Sequence, residues 1–438
     1  MTNQQTLLIF GASARAAAHS AVRARMQPVC ADVFADEDLH EVADVLPLEN
    51  YPHDLPHVAK TASGGPWMYT GALENHPQII AAISAERRLW GNGAEAVAKV
   101  RDPFEVYALL SKAKLPAAAV RSASDAPQPD GHWMLKPIRS AGGRGIHVWD
   151  KDAGTSKTLK EPHYFQQKLT GTPISALFLA ARRQTWLIGV ARQFVGDAGQ
   201  GRGARAACDP PLTPSLEGGE AVVGGVLNVG AFLNAPPYAY CGSIGPIELG
   251  QTVGRQIRRA GEVLARHCQL RGLFGGDFLC DGQAARLTEI NPRYTASVEV
   301  FEHAYDIALL DWHRRACESF ENSARCERLV NWLQTATADI HHRGPRRMIG
   351  KAILYAPRDL IAPSLAAFIN RGVPPALPGR VAGSMACLAD RPAAGTQIKS
   401  GHPFCSILAA GDNVADCRRE LATRVRELSV ERIHRLRR

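Results

Sequence analysis

The sequence predicts a protein of several domains that mix α/β and α+β architecture. Residues 6–34 are predicted to form a strand, a glycine turn, a helix and a second strand, which is the pattern of one half of a Rossmann-like fold. Residues 273–290 read as a β-hairpin, and short strands and a final helix follow residue 340. The 438 residues are enough for two or three domains with cores of their own.

The N-terminal unit has a glycine turn that differs from a dinucleotide fingerprint. The strand TLLIFG leads into Gly11-Ala-Ser13-Ala-Arg15, a helix and the strand PVCADVF. This turn lacks the G-x-G-x-x-G spacing. Ser13 and Arg15, at the helix N-terminus, can hold a substrate carboxylate, with a structural cap as the alternative. Asp32 follows the second strand as a ribose-binding acid would, so an NAD-dependent dehydrogenase remains an alternative.

Between the first unit and residue 120, the sequence predicts a short strand, a glycine turn and a loop, followed by helices. We expect a loop whose Glu74 and Asn75 face a cleft, then a helix over 79–89. The apolar periodicity of 97–120 predicts a helix, a loop and a second helix.

The predicted hairpin carries a candidate metal site. The apolar run at 273–280 contains Asp277, the turn is Asp281-Gly282, and the return strand ends in Glu289, Asn291 and Arg293. Strands paired through this turn can aim Asp277 and Glu289 at a common point. Two carboxylates and an amide oxygen favour Mg²⁺, and Arg293 adds a cation suited to phosphoryl chemistry. A surface hairpin with scattered acids is the alternative.

A second motif lies upstream, in WMLKPIRSAGGRGIHV at 133–148. A strand delivers Lys136, and the loop from Ser140 to Gly145 is rich in glycine, which lets backbone N–H groups approach a phosphate. The loop is not a Walker motif, because no Gly-Lys-Ser/Thr follows. A glycine-rich hairpin without a ligand is the alternative.

Together the two motifs resemble the ATP-grasp superfamily, in its predicted carboligase branch related to biotin carboxylase. The resemblance spans about 99–300 and rests on Lys136, the glycine loop and the order of Asp277, Glu289, Asn291 and Arg293. It implies a Rossmann-like pre-ATP-grasp domain (1–95), a two-lobed ATP-grasp domain (96–330) and a small C-terminal β-rich lobe with a helix (331–438).

The resemblance also implies roles for individual residues. Arg293 would be catalytic, and Asp277, Glu289 and Asn291 would hold two Mg²⁺ ions, with Mn²⁺ as an alternative. Ser175 is a substitute for a ribose-binding acid, since Pro173 stands where relatives carry that acid. The implied ATP-binding residues are Lys99, Lys136, Ser140, Gly142, Gly143, Gly145, Gln166, Gln167, Leu169 and Ser175. The implied substrate-binding residues are Gly11, Ser13, Arg15 and Tyr294.

The implied activity is that of an ATP-grasp carbon–nitrogen ligase that joins a carboxylate to an amine through an acyl phosphate. Within the branch, glutamate and tyramine or tyrosine would be the substrates, in methanofuran-type cofactor biosynthesis and one-carbon metabolism. Trp67, Tyr69 and Tyr294 would line a slot for the phenol. The alternatives are another amino-acid ligase, a biotin-carboxylase-like carboxylase and a non-catalytic nucleotide-binding protein.

The composition narrows the classes of protein and partner that remain possible. The net charge of +9 is spread along the chain with few interleaved aromatics, which argues against a nucleic-acid partner. No apolar run is long enough for a membrane span, and we expect no signal peptide. The ten cysteines contain no C-x-x-C pair and are typical of a reducing cytoplasm. Small-molecule substrates are the expected partners, and a homodimer is compatible with the resemblance.

Two further expectations concern single segments. Residues 196–214 are rich in turn-forming residues and are interpreted as a lid or a disordered excursion. His341 and His342 are expected to point apart on a strand, which argues against a shared metal.

Overall fold

The computed structural model describes residues 4–152, 162–182, 184–196, 234–320, 323–366 and 388–428. The helices are α1 (Arg15–Arg23), α2 (Glu37–His40), α3 (Leu55–Thr61), α4 (Pro77–Glu86), α5 (Ala94–Val100), α6 (Pro103–Lys112), α7 (Gln251–Cys268), α8 (Ser297–Tyr305), α9 (Leu309–Glu318), α10 (Ser323–Arg343) and α11 (Val414–Glu427). Short 3₁₀ turns occupy Leu73–Asn75 and Ala123–Asp125. No helix in these ranges is long and apolar enough to cross a membrane.

The N-terminal unit is a four-stranded parallel sheet, as the Rossmann-like pattern predicts. Its strands are β1 (Thr6–Gly11), β2 (Gln27–Asp32), β3 (Asp44–Leu46) and β4 (Trp67–Tyr69), in the order β3-β2-β1-β4. The strand order reverses between β1 and β4, so the loops after these strands flank a crevice at the carboxyl edge of the sheet. The apolar run of β1 is buried on both faces, which is typical of a central parallel strand.

A small antiparallel sheet forms the next lobe. It contains β5 (Val120–Ser122), β6 (Trp133–Pro137), β7 (His147–Trp149) and β8 (His163–Gln167), in the order β5-β8-β6-β7. Leu135, Trp149 and Phe165 form its buried core. This sheet positions Lys136 on β6 and Gln166 on β8, facing the larger sheet described next.

The largest sheet has eight strands. They are β9 (Thr172–Ala181), β10 (Gln184–Val195), β11 (Tyr240–Gly245), β12 (Gly272–Cys280), β13 (Ala285–Asn291), β14 (Met348–Tyr355), β16 (Leu388–Ala389) and β18 (Pro403–Gly411). Their order is β13-β12-β9-β10-β11-β14-β18-β16. A pair of two-residue strands, β15 (Leu360–Ile361) and β17 (Gln397–Ile398), lies apart from it.

The C-terminal region continues this large sheet. Strand β14 pairs antiparallel with β11, and β18 pairs with β14. The expected boundary between residues 330 and 331 falls inside α10. The predicted strands and terminal helix of this region are present as β14, β16, β18 and α11.

Two expectations about single segments have different outcomes. His341 and His342 lie in the last turn of α10, so the expectation of a strand there was wrong. Helix α10 ends at Arg343, three residues beyond residue 340, where the sequence analysis placed the start of the strands. The 197–214 part of the expected lid lies outside the described residues.

Candidate active site

The hairpin of β12 and β13 brings the predicted metal ligands together. Asp277 and Glu289 are direct cross-strand partners. Asp281 fixes the turn, because its side chain accepts hydrogen bonds from the N–H groups of Gln283 and Ala284, at 2.9 and 2.8 Å. Gly282 has a φ of +90°, which a residue with a Cβ rarely adopts. The turn therefore sets the register that opposes the two carboxylates.

Asp277 lies in an environment that disfavours its charge. Burial and the neighbouring charge of Glu289 raise the pKa of Asp277 to about 7. Gln193 and Asn291 each donate a hydrogen bond to the Asp277 carboxylate, at 2.8 and 2.9 Å, which partly offsets this effect. Such a carboxylate gains stability from a cation placed beside it.

Glu289 is held ionised by basic neighbours. Burial alone would raise its pKa, but Arg101 and Lys136 lower the pKa below the ordinary value for glutamate. The closest contact is a 2.6 Å ion pair from Arg101 Nη1 to Glu289 Oε1. Asp277 and Glu289 therefore lie in different electrostatic environments, because only Glu289 has a cationic side chain bonded to it.

Arg293 is fixed between two polar groups. Its Nε and Nη2 lie 2.9 and 2.8 Å from Glu74 Oε1, and Nη2 donates to Asn291 Oδ1 at 3.0 Å. Glu74 comes from the 3₁₀ turn after β4, where the sequence predicted that it faces the cleft. The crevice of the N-terminal sheet therefore meets the end of β13 at this arginine.

The side chains at the end of the hairpin fit a hard divalent cation. Asp277, Glu289 and Asn291 supply only oxygen ligands of the type that Mg²⁺ prefers. Within the described ranges no group of three or more His, Cys, Asp or Glu side chains could hold a metal. The raised pKa of Asp277 agrees with a site that a cation would complete. These three residues are the metal-site candidate.

A pocket lies between the small sheet and β13. Lys136 Nζ donates to Gln166 Oε1 at 3.1 Å and to the Thr288 carbonyl at 3.3 Å, which ties the small lobe to β13. The lining residues include Arg101, Lys136, Ser140, Gln166, Thr288 and Glu289, with apolar walls from Val100, Val106, Leu110, Val120, Ile138, Leu287 and Ile290.

The glycine-rich loop after β6 contributes Ser140 to the lining of this pocket. The Ser140 carbonyl accepts hydrogen bonds from Asn75 Nδ2 and Arg101 Nη2, both at 3.2 Å. Gly142, Gly143 and Gly145 have φ values of +64°, +78° and +74°. These conformations favour glycine, and the loop depends on them to turn back toward β7.

Other residues implied for ATP binding lie outside the pocket lining. Lys99 is exposed on α5, whereas Arg101, two residues later, reaches Glu289 and Ser140. Gln167 and Leu169 lie at and beyond the end of β8, and Gln167 is exposed. Ser175 is buried in β9 as the strand partner of Asp277. Arg101 is the residue that sequence reasoning missed, although it directly precedes the Asp102-Pro103 helix start.

Arg15 has internal partners rather than an open position. Its guanidinium contacts Glu299 through both Nη atoms, and its Nε lies 2.8 Å from Asp390 Oδ1. Ser13 is exposed, two residues away. A Cβ on Gly11 would lie 2.0 Å from Thr70 Oγ1, so this glycine permits the close approach of the loops after β1 and β4.

The aromatic residues expected to form a slot are packed in hydrophobic cores. Trp67 and Tyr69 are buried in the core of the N-terminal unit, and Tyr294 is buried with its hydroxyl donating to the Ala16 carbonyl. Asp32 accepts hydrogen bonds from the N–H groups of Ala14, Phe34 and Ala35, so its carboxylate is used within the loop. A ribose role for Asp32 has no structural support.

The arrangement defines a class of protein: two lobes with a pocket between them, a lysine and a glycine-rich loop on the small lobe, and two opposed carboxylates on the large sheet. Residues 100–297 match a family model described as ATP-grasp domain. The chain therefore contains an ATP-grasp domain, and its fold is that of the ATP-grasp superfamily. The sequence-based prediction of this superfamily is confirmed. No curated protein sequence matches the chain.

Solved structures with the same fold cover nearly the whole chain. An N5-carboxyaminoimidazole ribonucleotide synthetase solved as an ADP complex is 14% identical, with a TM-score of 0.61 and 97% of each chain covered. The L-amino acid ligase of Bacillus licheniformis is 12% identical, with a TM-score of 0.61 and 98% of each chain covered. The biotin carboxylase of Campylobacter jejuni is 12% identical, with a TM-score of 0.59, and the match covers 93% of this chain and 87% of that chain.

Proposed function

We propose that this protein is an ATP-dependent ligase that joins a carboxylate to an amine. The observation that carries the proposal is the pairing of Asp277 with Glu289 across the hairpin. Arg293 bonds to the neighbouring Asn291, and Lys136 bonds to the Thr288 carbonyl next to Glu289. The ATP-grasp domain match at residues 100–297 supports nucleotide binding. The fold shared with an amino acid ligase and a ribonucleotide synthetase supports the reaction class.

The residues of the two lobes divide the work of binding ATP. The apolar walls of the pocket suit a base, while Lys136, Arg101 and the backbone N–H groups of the glycine-rich loop suit phosphates. Asp277, Glu289 and Asn291 would hold Mg²⁺, with Mn²⁺ as the alternative ion. When bound, the metal neutralises phosphate charge.

The chemical step needs positioning and charge stabilisation more than proton transfer. An oxygen of the substrate carboxylate attacks the γ-phosphorus, the bond to ADP breaks, and an acyl phosphate forms. The nitrogen of the amine then attacks the acyl carbon, inorganic phosphate leaves, and the amine loses a proton. Arg293, fixed by Glu74 and Asn291, would stabilise the charge on the transferred group.

For the substrates, the resemblance of the sequence favours glutamate as the carboxylate and tyramine or tyrosine as the amine, toward a methanofuran-type cofactor. The burial of Trp67, Tyr69 and Tyr294 removes the aromatic slot first assigned to the phenol. The phenol would therefore need contacts from other residues of the crevice, so the substrate pair rests on the resemblance alone.

Glu289→Gln tests the reaction and the site together. The change keeps the shape of the side chain but removes a charge from the metal site, which typically costs a few kcal/mol of transition-state stabilisation. We expect at least a hundredfold lower rate of ADP release with Mg-ATP and the true substrates. Glu262→Gln, on the exposed face of α7, is the matched control and should keep the wild-type rate.

The substrate assay uses mass spectrometry. Wild-type protein is incubated with Mg-ATP, glutamate and either tyramine or tyrosine, and the expected product is the corresponding amide. Absence of product with both amines, together with ADP release with another acid and amine, would reject these substrates and leave the ligase. A wild-type rate for Glu289→Gln would reject the site itself.

A further inference from the structure

One oxygen of the Glu74 carboxylate is left without a partner. Glu74 Oε1 accepts hydrogen bonds from Arg293 Nε and Nη2, at 2.9 and 2.8 Å. Glu74 Oε2 is buried and, within the described ranges, has no hydrogen-bond partner. The Glu74 side chain as a whole is only 1% exposed. A buried polar atom that the protein itself leaves unpaired costs free energy, which a bound ligand can offset.

A hydroxyl group of the same unit shares this property. In the part of the chain that the structure describes, the buried Tyr51 Oη makes no hydrogen bond. Tyr51 follows β3 and Glu74 follows β4, so both come after the carboxyl ends of parallel strands, where open α/β sheets bind ligands. Burial raises the pKa of Tyr51, and the charge of Glu74 raises it further while that of Arg293 lowers it. The phenol therefore lies within electrostatic reach of the Glu74–Arg293 pair.

The turn that carries Glu74 is held firmly beside the end of β13. Ala72 has a φ of +76°, a conformation that persists only where surrounding contacts enforce it. A Cβ on Gly71 would lie 3.6 Å from Arg293 Cζ, so the backbone of the turn packs against the guanidinium. Tyr69 Oη, just before the turn, donates to the Pro292 carbonyl at 3.2 Å. Glu74 is therefore fixed relative to Arg293 before any ligand binds.

The chemistry of the free oxygen selects the ligand. A carboxylate oxygen accepts hydrogen bonds and donates none, so its partner must carry an N–H or O–H group. In the proposed reaction, the substrate carboxylate, ATP and the acyl phosphate present acceptor oxygens at their reacting atoms, which a carboxylate repels. The amine is the reactant that presents N–H donors. Arg293 therefore suits the phosphate oxygens, and Glu74 suits the amine.

We propose that Glu74 Oε2 binds the amino group of the amine substrate and holds its nitrogen beside the acyl phosphate, with the Tyr51 hydroxyl as a second contact. Glu74 can do so because its other oxygen is bonded to Arg293, the residue that would stabilise the transferred phosphoryl group. The inference rests on the proposed ligase function and deepens it. The bonds made and broken are those of that reaction, and Glu74 contributes position.

Glu74→Gln tests the binding of the amine. The amide oxygen can still accept from Arg293, while an NH₂ group replaces the free oxygen and opposes the N–H donors of the amine. Glu86→Gln, at the exposed end of α4, is the matched control. With Mg-ATP, glutamate and tyramine, we expect kcat/KM for tyramine to fall about tenfold or more in Glu74→Gln, as loss of a hydrogen bond to a charged group implies. The control should match the wild type.

Acyl phosphate formation separates this role from a purely structural one. Hydroxylamine at high concentration traps an acyl phosphate as a hydroxamate without the amine site, and Fe(III) makes the product visible. We expect Glu74→Gln to form the hydroxamate at close to the wild-type rate. An equal loss of hydroxamate and amide would show that Glu74 acts only through Arg293, and an unchanged kcat/KM for tyramine would show that the amine binds elsewhere. Either result would overturn the inference.

A binding measurement needs no turnover. Tyramine is titrated calorimetrically into the full chain in the presence of Mg-ADP. The ligand control is 4-ethylphenol, which has the same skeleton without the amino group. We expect the wild type and Glu86→Gln to bind tyramine roughly tenfold more tightly than 4-ethylphenol, because a hydrogen bond to a carboxylate is a strong one, and Glu74→Gln to lose this preference. Equal binding of the two ligands to the wild type would contradict the assignment.

The outcomes separate this site from the ligase reaction. A preference for tyramine that depends on Glu74, with neither hydroxamate nor amide formed from any acid, would contradict the ligase function and leave the amine site. Amide formation by Glu74→Gln with the wild-type kcat/KM for the amine would contradict the site and leave the ligase function.

Discussion

Arg101 and Lys99 stand two residues apart at the end of α5 and differ in what they contact. Arg101 bonds to Glu289 and to the Ser140 carbonyl, while Lys99 is exposed. We expect Arg101→Met to weaken Mg-ATP binding by tenfold or more, about 1.4 kcal/mol. Lys99→Met is the matched control and should bind as the wild type does. Equilibrium titration with a fluorescent ATP analogue measures both, and the reverse order would restore the phosphate role to Lys99.

Asp36, a buried residue at the N-cap of α2, predicts how stability depends on pH. Its folded-state pKa of about 8 exceeds the ordinary value of an unfolded aspartate, so the folded state binds a proton more tightly. The stability linked to this proton is present at low pH and is lost as the pH rises toward 8. Asp36→Asn cannot ionise and should lose none of it.

We therefore expect the variant to gain stability relative to the wild type between pH 5 and pH 8.5, by at least ~1.4 kcal/mol, the equivalent of one pKa unit. Urea unfolding at both pH values gives the difference. Parallel pH profiles for the two proteins would show that Asp36 titrates normally.

At the scale of elements, the glycine-rich loop offers a matched pair of substitutions. A Cβ on Gly143 would lie 2.1 Å from the Tyr238 carbonyl oxygen, whereas a Cβ on Gly142 would meet nothing within 4 Å. Both residues have positive φ, so alanine costs about 1 kcal/mol of strain at either position. Only Gly143→Ala must also displace the loop.

We expect Gly143→Ala to raise the KM for ATP at least fivefold and Gly142→Ala to change it less than twofold. In the wild type, Mg-ATP should slow hydrogen exchange of the amides at 140–145, because the loop closes on the phosphates. Exchange that is unchanged on saturation with nucleotide would refute the role of the loop.

The hairpin and the contacts of Arg15 show how far the sequence can predict this site. The opposition of Asp277 and Glu289 follows from a short turn, so local register rules suffice. The partners of Arg15 are distant in sequence, and a helix N-terminus gives no indication of them. The choice between Lys99 and Arg101 depends on the direction of a helix end, which ordinary boundary errors obscure. The same uncertainty explains the strand expected at His341.

For the whole molecule, a buried charge cluster is expected to hold three parts of the chain together. Its members are Arg15, Glu299, Lys351 and Asp390. Lys351→Met would leave Glu299 and Asp390 with one cation fewer in a buried place, and breaking such a pair typically costs 3–5 kcal/mol. Arg259→Gln breaks an exposed pair on α7 and should cost less than ~1 kcal/mol. Urea unfolding compares the two. A smaller loss for Lys351→Met than for Arg259→Gln would contradict a stabilising role for the cluster.

The pairing of β14 with β11 limits how this protein can be divided or recombined. A fragment ending at residue 330 would stop inside α10 and leave β11 with an unpaired edge, a template for pairing with other chains. Gene fusions or truncations that respect the ATP-grasp match at residues 100–297 would cut through the same sheet. The region that carries the candidate active site is therefore not a portable module, because strands that follow residue 330 complete its sheet.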